Sequence, residues 1–248
     1  MIRVDSLTVG FGDNTVLRNV TFQVPRGQVM AVLGKNGSGK SVLLKTIAGL
    51  IPGYLGEITL NGQSLSSLLD DVKGNSARTD LSYVFQKGGL FDSMSVFDNV
   101  AFGLRRRGEE ESSIMKLVTD SLTGVGLSGS EGKLPSELSG GMQKRVGLAR
   151  AICLSPTIIL YDDPTAGLDP ILSDAIADLV LDIKKRQDAT CIVATHDLKV
   201  AEKIADSIAM IYNNEIVLHR ACADFFAAED PYARQFINGE IEGPIDIY

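Results

Sequence analysis

The 248-residue sequence has no tryptophan, only two histidines and only three cysteines. Cys153, Cys191 and Cys222 stand far apart in apolar surroundings with no C-x-x-C spacing, so neither a disulfide framework nor a thiolate metal site is expected. They read as reduced core residues of a cytosolic protein. No run approaches the roughly 18 consecutive apolar residues of a membrane-spanning helix, and the opening MIRVDSLTVG lacks a basic region followed by an apolar block, so export is not expected. Positive charge is also short. With 24 Lys and Arg against 31 Asp and Glu, the net charge of −7 leaves no footprint for a polyanion, so nucleic acid is not expected as a partner. The run Arg105–Arg107 reads as a solvated helix end. Any role at a membrane surface must come through a partner protein. The chain has no internal repeat and no low-complexity segment.

What is present is an α/β pattern, with enough apolar residues (44%) to fill a substantial core. IRVDSLTV alternates, NVTFQV ends at Pro25, and VMAVL is a short unbroken apolar run of the kind buried on both faces. From about Ser95 to Ile152 the spacing turns helical, opening on Ser95 and Asp98 as a capping pattern, which predicts a helical insertion. Strand and helix then alternate: TIILY, a helix from Pro170 to about Gln187, TCIVAT, a helix from Leu198, and SIAMIY and EIVL around a turn at Asn213–Asn214. The expected fold is a mostly parallel core sheet with an N-terminal antiparallel β part. One domain is expected over 1–221, with the helical subdomain inserted at about 87–152 and a tail over 222–248.

GKNGSGKS, Gly34–Ser41, fits G-x-x-x-x-G-K-[ST], follows the apolar strand and precedes the helical spacing of VLLKTIAGL. Gly34, Gly37 and Gly39 let the backbone wrap close and aim its N–H groups, with those of Asn36 and Ser38, at phosphate oxygens. Lys40 reaches the β- and γ-phosphates of ATP, and the Ser41 hydroxyl is placed for Mg²⁺. TIILYDDP, at 157–164, ends a buried strand in two carboxylates. Asp162 is expected to complete the Mg²⁺ shell and Asp163 to face the γ-phosphate and the attacking water.

LSGGMQKRVGLARAI, at 138–152, has Ser139 as an N-cap, two glycines with no side chain to block a ligand, and then good helix formers. One ATP does not need two anion sites in one subunit, so Ser139, Gly140 and Gly141 are expected to contact the nucleotide of a second copy. In this the chain resembles the ATP-binding-cassette ATPases, with Met142 where that family's signature most often has glutamine. The resemblance covers nearly the whole chain. It implies that Gln86 in YVFQKGGLF touches Mg²⁺ or the attacking water, that Asp169 in AGLDP communicates across a dimer, and that His196 in VATHD contacts the γ-phosphate. Phe11 stands where the family places an aromatic that stacks on adenine.

A single cassette with no long helical arm is similar to a transporter subunit. The resemblance then implies a homodimer of ATPase subunits on the inner face of the cell membrane, and a membrane permease docked near Lys87–Leu104. The Q-loop and signature stretches, and above all the ending RQFINGEIEGPIDIY, resemble the ATPases of Mce/Mla-type phospholipid transporters, which implies a lipid-binding Mce-type subunit as an indirect partner. An amino-acid or metal importer is the alternative within transport, and a nucleotide-gated clamp with little hydrolysis the alternative outside it. The family's usual residue after the Mg²⁺ aspartate is Glu. Asp163 is one methylene short of it, which implies slow hydrolysis. IEGPIDIY interleaves apolar residues with Gly and Pro and shows no helical period, so the tail has two readings, a strap that packs on its own domain or, the favoured one, an arm that reaches the other ATPase subunit.

Overall fold

The computed structural model describes residues 1–70, 80–227 and 230–246, so the expected tail lies outside the described residues at 228–229 and 247–248. The chain divides into two compact units, residues 1–70 with 190–248, and residues 71–189.

In the first unit, β1 (Ile2–Phe11) and β2 (Asn14–Val24) pair antiparallel with Val4 opposite Phe22, and β4 (Leu55–Leu60) adds to the free side of β1, with β5 (Gln63–Ser64) beyond it. Alternation along β1 and β2 buries Val4, Leu7, Leu17 and Phe22, which is the pattern of strands with one covered face. A second set of strands runs in the order β10-β9-β3-β8. Here β3 (Val29–Leu33) lies between β8 (Thr190–Ala194) and β9 (Ser207–Tyr212), parallel to both, and all five of its residues are buried. That explains its unbroken apolar sequence. Strand β10 (Glu215–Ala221) returns antiparallel through Asn213 and Asn214, both with positive φ as a two-residue hairpin turn demands. The Asn214 carbonyl accepts from Arg18 N (2.7 Å) and its amide donates to Thr15 O (2.8 Å), tying this turn to β2.

Helices α1 (Lys40–Ile47), α2 (Leu65–Asp70), α7 (Leu198–Ile204), α8 (Cys222–Ala227) and α9 (Pro231–Asn238) belong to the same unit. Residues 231–246 pack on their own unit: Ile245 is 6% exposed in a cluster with Tyr212, Leu218 and Phe225. The Gln235 amide donates to Ile245 O (2.9 Å) and accepts from Ile245 N (2.7 Å). Tyr212 Oη accepts from Asp246 N (2.7 Å).

In the second unit, β6 (Leu81–Val84) runs parallel to β7 (Ile158–Asp162), with Tyr83 beside Leu160. Helices α3 (Val96–Arg107), α4 (Glu111–Gly124) and α5 (Gly140–Ile152) fill the stretch where helical spacing predicts an insertion, and α6 (Pro170–Gln187) has the predicted bounds. Ser95 caps α3 by accepting from Asp98 N (3.0 Å). Arg105 is drawn to Asp98 and Glu111, so the basic run is a solvated, internally paired helix end. Cys153 and Cys191 are buried and Cys222 half-buried, none of them in a disulfide, and burial pushes the Cys153 thiol up to about 12, which leaves it unreactive.

Candidate functional site

The residues singled out in the sequence divide between the units. Phe11, Gly34–Ser41 and His196 belong to the first, and Gln86, Ser139–Gly141, Asp162, Asp163 and Asp169 to the second.

In the first unit, Gly34 leaves β3 at φ +152, where a Cβ would stand 2.6 Å from Ile211 O and 2.7 Å from Ser38 Oγ. No side chain fits there, so the loop closes on its own backbone. Gly37 holds φ +81 with open space where a Cβ would point, so the turn of the backbone, not a close contact, calls for glycine at that position. Gly39 precedes α1 at φ +101, and no side chain caps the helix start, so its first N–H groups face a ligand position instead. The Lys40 ammonium lies inside the loop, donating to Gly34 O (2.8 Å) and Lys35 O (2.9 Å). Ser38 Oγ is buried without a hydrogen-bond partner among the described residues. An orphaned hydroxyl, an uncapped helix start and a centred ammonium together match the needs of a bound polyphosphate.

Parallel pairing sets Val32 beside Ala194, and Thr195 N donates to Val32 O (3.1 Å), so Gly34 and His196 emerge at the same end of adjacent strands. His196 is exposed, just ahead of α7, whose N-cap is Asp197. Phe11 closes β1 and is 52% exposed, so it is not a core aromatic.

In the second unit, Asp162 ends β7 and is 6% exposed. Tyr83 donates its hydroxyl to Asp162 Oδ2 (2.8 Å) from the neighbouring strand. Burial, then the Asp162 charge and this hydrogen bond, push the Tyr83 phenol far above its ordinary value, so it is a permanent donor. The sequence carries no spacing signal for this pair, which is 79 residues apart. Asp163 is 8% exposed and holds φ +48, a left-handed backbone that Asp tolerates better than most residues.

Two segments meet α5. Ser139 Oγ accepts from Met142 N (3.3 Å), which leaves its hydroxyl proton to donate outward from an exposed helix start. A Cβ on Gly141 would come 3.3 Å from Leu172 Cδ1, so the helix start abuts the beginning of α6, where Asp169 Oδ1 caps Ile171 N (2.9 Å) and Leu172 N (3.0 Å). The loop after Gln86 packs on the flank of α5: a Cβ on Gly147 would lie 2.8 Å from Gly88 O, and Arg150 donates to that same carbonyl (3.1 Å). Gln86 itself is exposed. The segment beyond it is pinned by buried Asn99, which donates to Phe91 O, Met94 O and Ser95 O and accepts from Phe91 N. Sequence reasoning passed over Asn99 because a polar residue inside a helix reads as a solvated one. Phe91 and Phe102 stack with ring centroids 4.8 Å apart, Phe91 remaining exposed and Phe97 and Phe102 half-buried.

Among the described residues no helix is long and apolar enough to cross a membrane, and no group of three or more His, Cys, Asp or Glu could hold a metal ion. A Mg²⁺ ion carried by a nucleotide needs fewer protein ligands, because phosphate oxygens and water supply the rest, and the Ser41 hydroxyl and Asp162 carboxylate are donors of the right hardness.

The family described as "ABC transporter" matches residues 17–166. The probable ribonucleotide transport ATP-binding protein mkl of Mycobacterium tuberculosis is 39% identical over 245 residues, 98% of this chain and 68% of that protein. The intermembrane phospholipid transport system ATP-binding protein MlaF of Escherichia coli is 37% identical over 245 residues, 98% of this chain and 91% of that protein. Among solved structures, the ATP-binding cassette MJ0796, captured as a dimer after hydrolysis with ADP and phosphate bound, superposes with a TM-score of 0.81 at 28% identity, covering 90% of this chain and 99% of that one.

Proposed function

This chain belongs to the ABC transporter family as an ATP-hydrolysing subunit, and from that premise we propose that it powers the movement of phospholipid or another hydrophobic lipid through a membrane permease. The observation that carries the lipid reading is the likeness to MlaF, which extends over 98% of this chain and 91% of that phospholipid-transport protein. An amino-acid or metal cargo has no comparable support. The name of the mycobacterial relative favours one second reading, a ribonucleotide cargo.

In the proposed cycle Lys40 and the loop N–H groups of Gly34–Ser41 hold the β- and γ-phosphates, with Phe11 against the adenine. Ser41 and Asp162, aided by Gln86, would hold Mg²⁺, and the chemistry that ion would supply is neutralisation of phosphate charge. Asp163 orients the attacking water and accepts its proton, and His196 contacts the γ-phosphate. Two copies close on two nucleotides, each offering Ser139, Gly140 and Gly141 to the ATP bound by the other, with Asp169 at the junction. Closure is felt by a permease seated on Lys87–Leu104, whose exposed Phe91 is held in place by Asn99. The subunit works from the cytoplasmic face of the inner membrane and reaches an Mce-type lipid-binding subunit only through the permease.

The test is transfer of a fluorescent phospholipid between vesicle populations by the reconstituted complex, with Lys40→Ala as the inactive control. ATP-dependent transfer absent from the control supports the lipid reading. ATPase stimulation by ribonucleotides with no lipid transfer would overturn it.

A further inference from the structure

Lys144 lies on α5, five residues after the exposed Ser139, and nothing in the proposed cycle uses it. Its side chain lines a small apolar cavity of about 10 Å³ together with Val84, Phe85, Leu148, Tyr161, Pro164 and Ile176. The ammonium donates to two backbone carbonyls, Pro164 O (3.3 Å) and Ala166 O. Those carbonyls belong to the turn that Asp163 opens, closed by Ala166 N donating to Asp163 O (3.2 Å). Asp163 itself sits at φ +48, a sparsely populated backbone for a residue with a Cβ, so the turn must be held by its surroundings. Lys144 interacts electrostatically with the Asp163 carboxylate as well.

We infer that Lys144 is a positioning residue for hydrolysis: by gripping Pro164 O and Ala166 O it fixes the turn that presents Asp163, and it sets a positive charge beside that carboxylate. A shorter carboxylate than the family's usual Glu depends more on where its backbone is held, because it has one fewer bond with which to find the water. The signature helix thereby carries two duties on neighbouring turns, an outward one at Ser139 and an inward one at Lys144. This inference rests on the reading of Asp163 as the water-orienting group.

The test uses the full chain in its permease complex and compares it with Lys144→Met, which keeps the apolar stem and loses the donor, and Lys144→Arg, which keeps charge and donors. Lys144→Met is expected to lower kcat by about tenfold or more while affinity for a fluorescent ATP analogue stays within about twofold, with Lys144→Arg recovering part of the rate. A kcat within about twofold of the parent, or rate and affinity falling together, would overturn it. A second readout needs no turnover. In the isolated nucleotide-free chain Lys144→Met should lower the melting temperature by about 2–4 °C, and by less than half of that once Asp163→Gly has removed both the strained φ and the counter-charge. Equal losses in the two backgrounds overturn the grip on the turn. Should Lys144→Met not accumulate as folded protein, Lys144→Gln, which is shorter and uncharged, is read in the same assays by the same criteria. Asp163→Asn separates the two ideas: parent-like turnover there sinks the role given to Asp163, while the melting comparison still judges Lys144 alone.

Discussion

Replacing Asp163 with Glu adds one methylene, roughly 1.5 Å of reach, at a position that is 8% exposed and held at φ +48. Two consequences follow with opposite signs. Asp is several-fold enriched in the left-handed region among residues other than glycine, a preference worth about 1 kcal/mol, and the added volume presses on a packed site in the same direction. For a chain of this length a loss of about 1 kcal/mol lowers the melting temperature by about 2–4 °C. Catalysis moves the other way. A misplacement of about 1 Å costs roughly 10²-fold where positioning carries the chemistry, as it does in phosphoryl transfer, so Glu is expected to raise turnover by up to about 10²-fold. Asp163→Asn tolerates the same backbone but loses the charge beside Lys144, so it should melt slightly below the parent while losing turnover. The assays are steady-state ATP hydrolysis by the permease complex, with Lys40→Ala as baseline, and thermal unfolding of the isolated chain. A Glu variant more stable than the parent would refute the backbone argument, and one no faster than the parent would refute the argument from reach.

Tyr83→Phe removes the hydroxyl that orients Asp162 and should raise the Mg²⁺ concentration needed for half-maximal hydrolysis by about 10–100-fold, leaving Mg²⁺-free nucleotide binding intact; an unchanged Mg²⁺ dependence counts against Asp162 as the ligand. Because burial keeps the Tyr83 phenol protonated, that difference should hold across the working pH range. Gly34→Ala forces a Cβ to within 2.6 Å of a backbone carbonyl that cannot move aside, a cost of about 3 kcal/mol, and ATP binding should vanish at temperatures where the chain is still folded. Ending the chain at Asp230 removes Ile245 and the partly buried Tyr232, Phe236 and Ile237 from the cluster around Phe225, so melting should fall by about 8–16 °C, on the order of 4 kcal/mol; unchanged melting with weaker self-association would instead support the arm.

The fold was legible wherever one period dominated. VMAVL has five apolar residues and no polar one, and that pattern has a single use in an α/β protein, a strand covered on both faces, where β3 lies. Pro170 and Gln187 bounded α6 correctly because proline opens a helix at little cost and Asp169 caps it. The phosphate loop was legible for a related reason: its glycines are there to satisfy φ values and clearances that other residues cannot meet, so sequence and geometry state one constraint twice. What escaped is made of single polar side chains acting over long sequence separations. Tyr83 to Asp162, Lys144 to Ala166 and Asn99 to Phe91 are each one hydrogen bond or a few, with no period and no flanking residues to announce them.

The tail shows how such a bond can seat a segment that has no period. EIEGPIDIY offers neither helical nor strand period, and a buried segment without period leaves its N–H and C=O groups unpaired unless something else supplies partners. The missing partner is a side chain. Gln235 turns inward from α9 and presents an amide that both donates to and accepts from Ile245, doing for one residue what a neighbouring strand does for many, while Tyr212 takes the next N–H and Lys35 donates to the Asp246 carbonyl. Gly243 is required in turn, because any side chain there would strike the Gln235 amide. With those backbone groups satisfied, Ile245 can enter the cluster with Tyr212 and Phe225 without a hydrogen-bonding penalty. A segment without period is therefore not a segment without a core, provided a glutamine stands opposite it to supply the pairing its own backbone lacks.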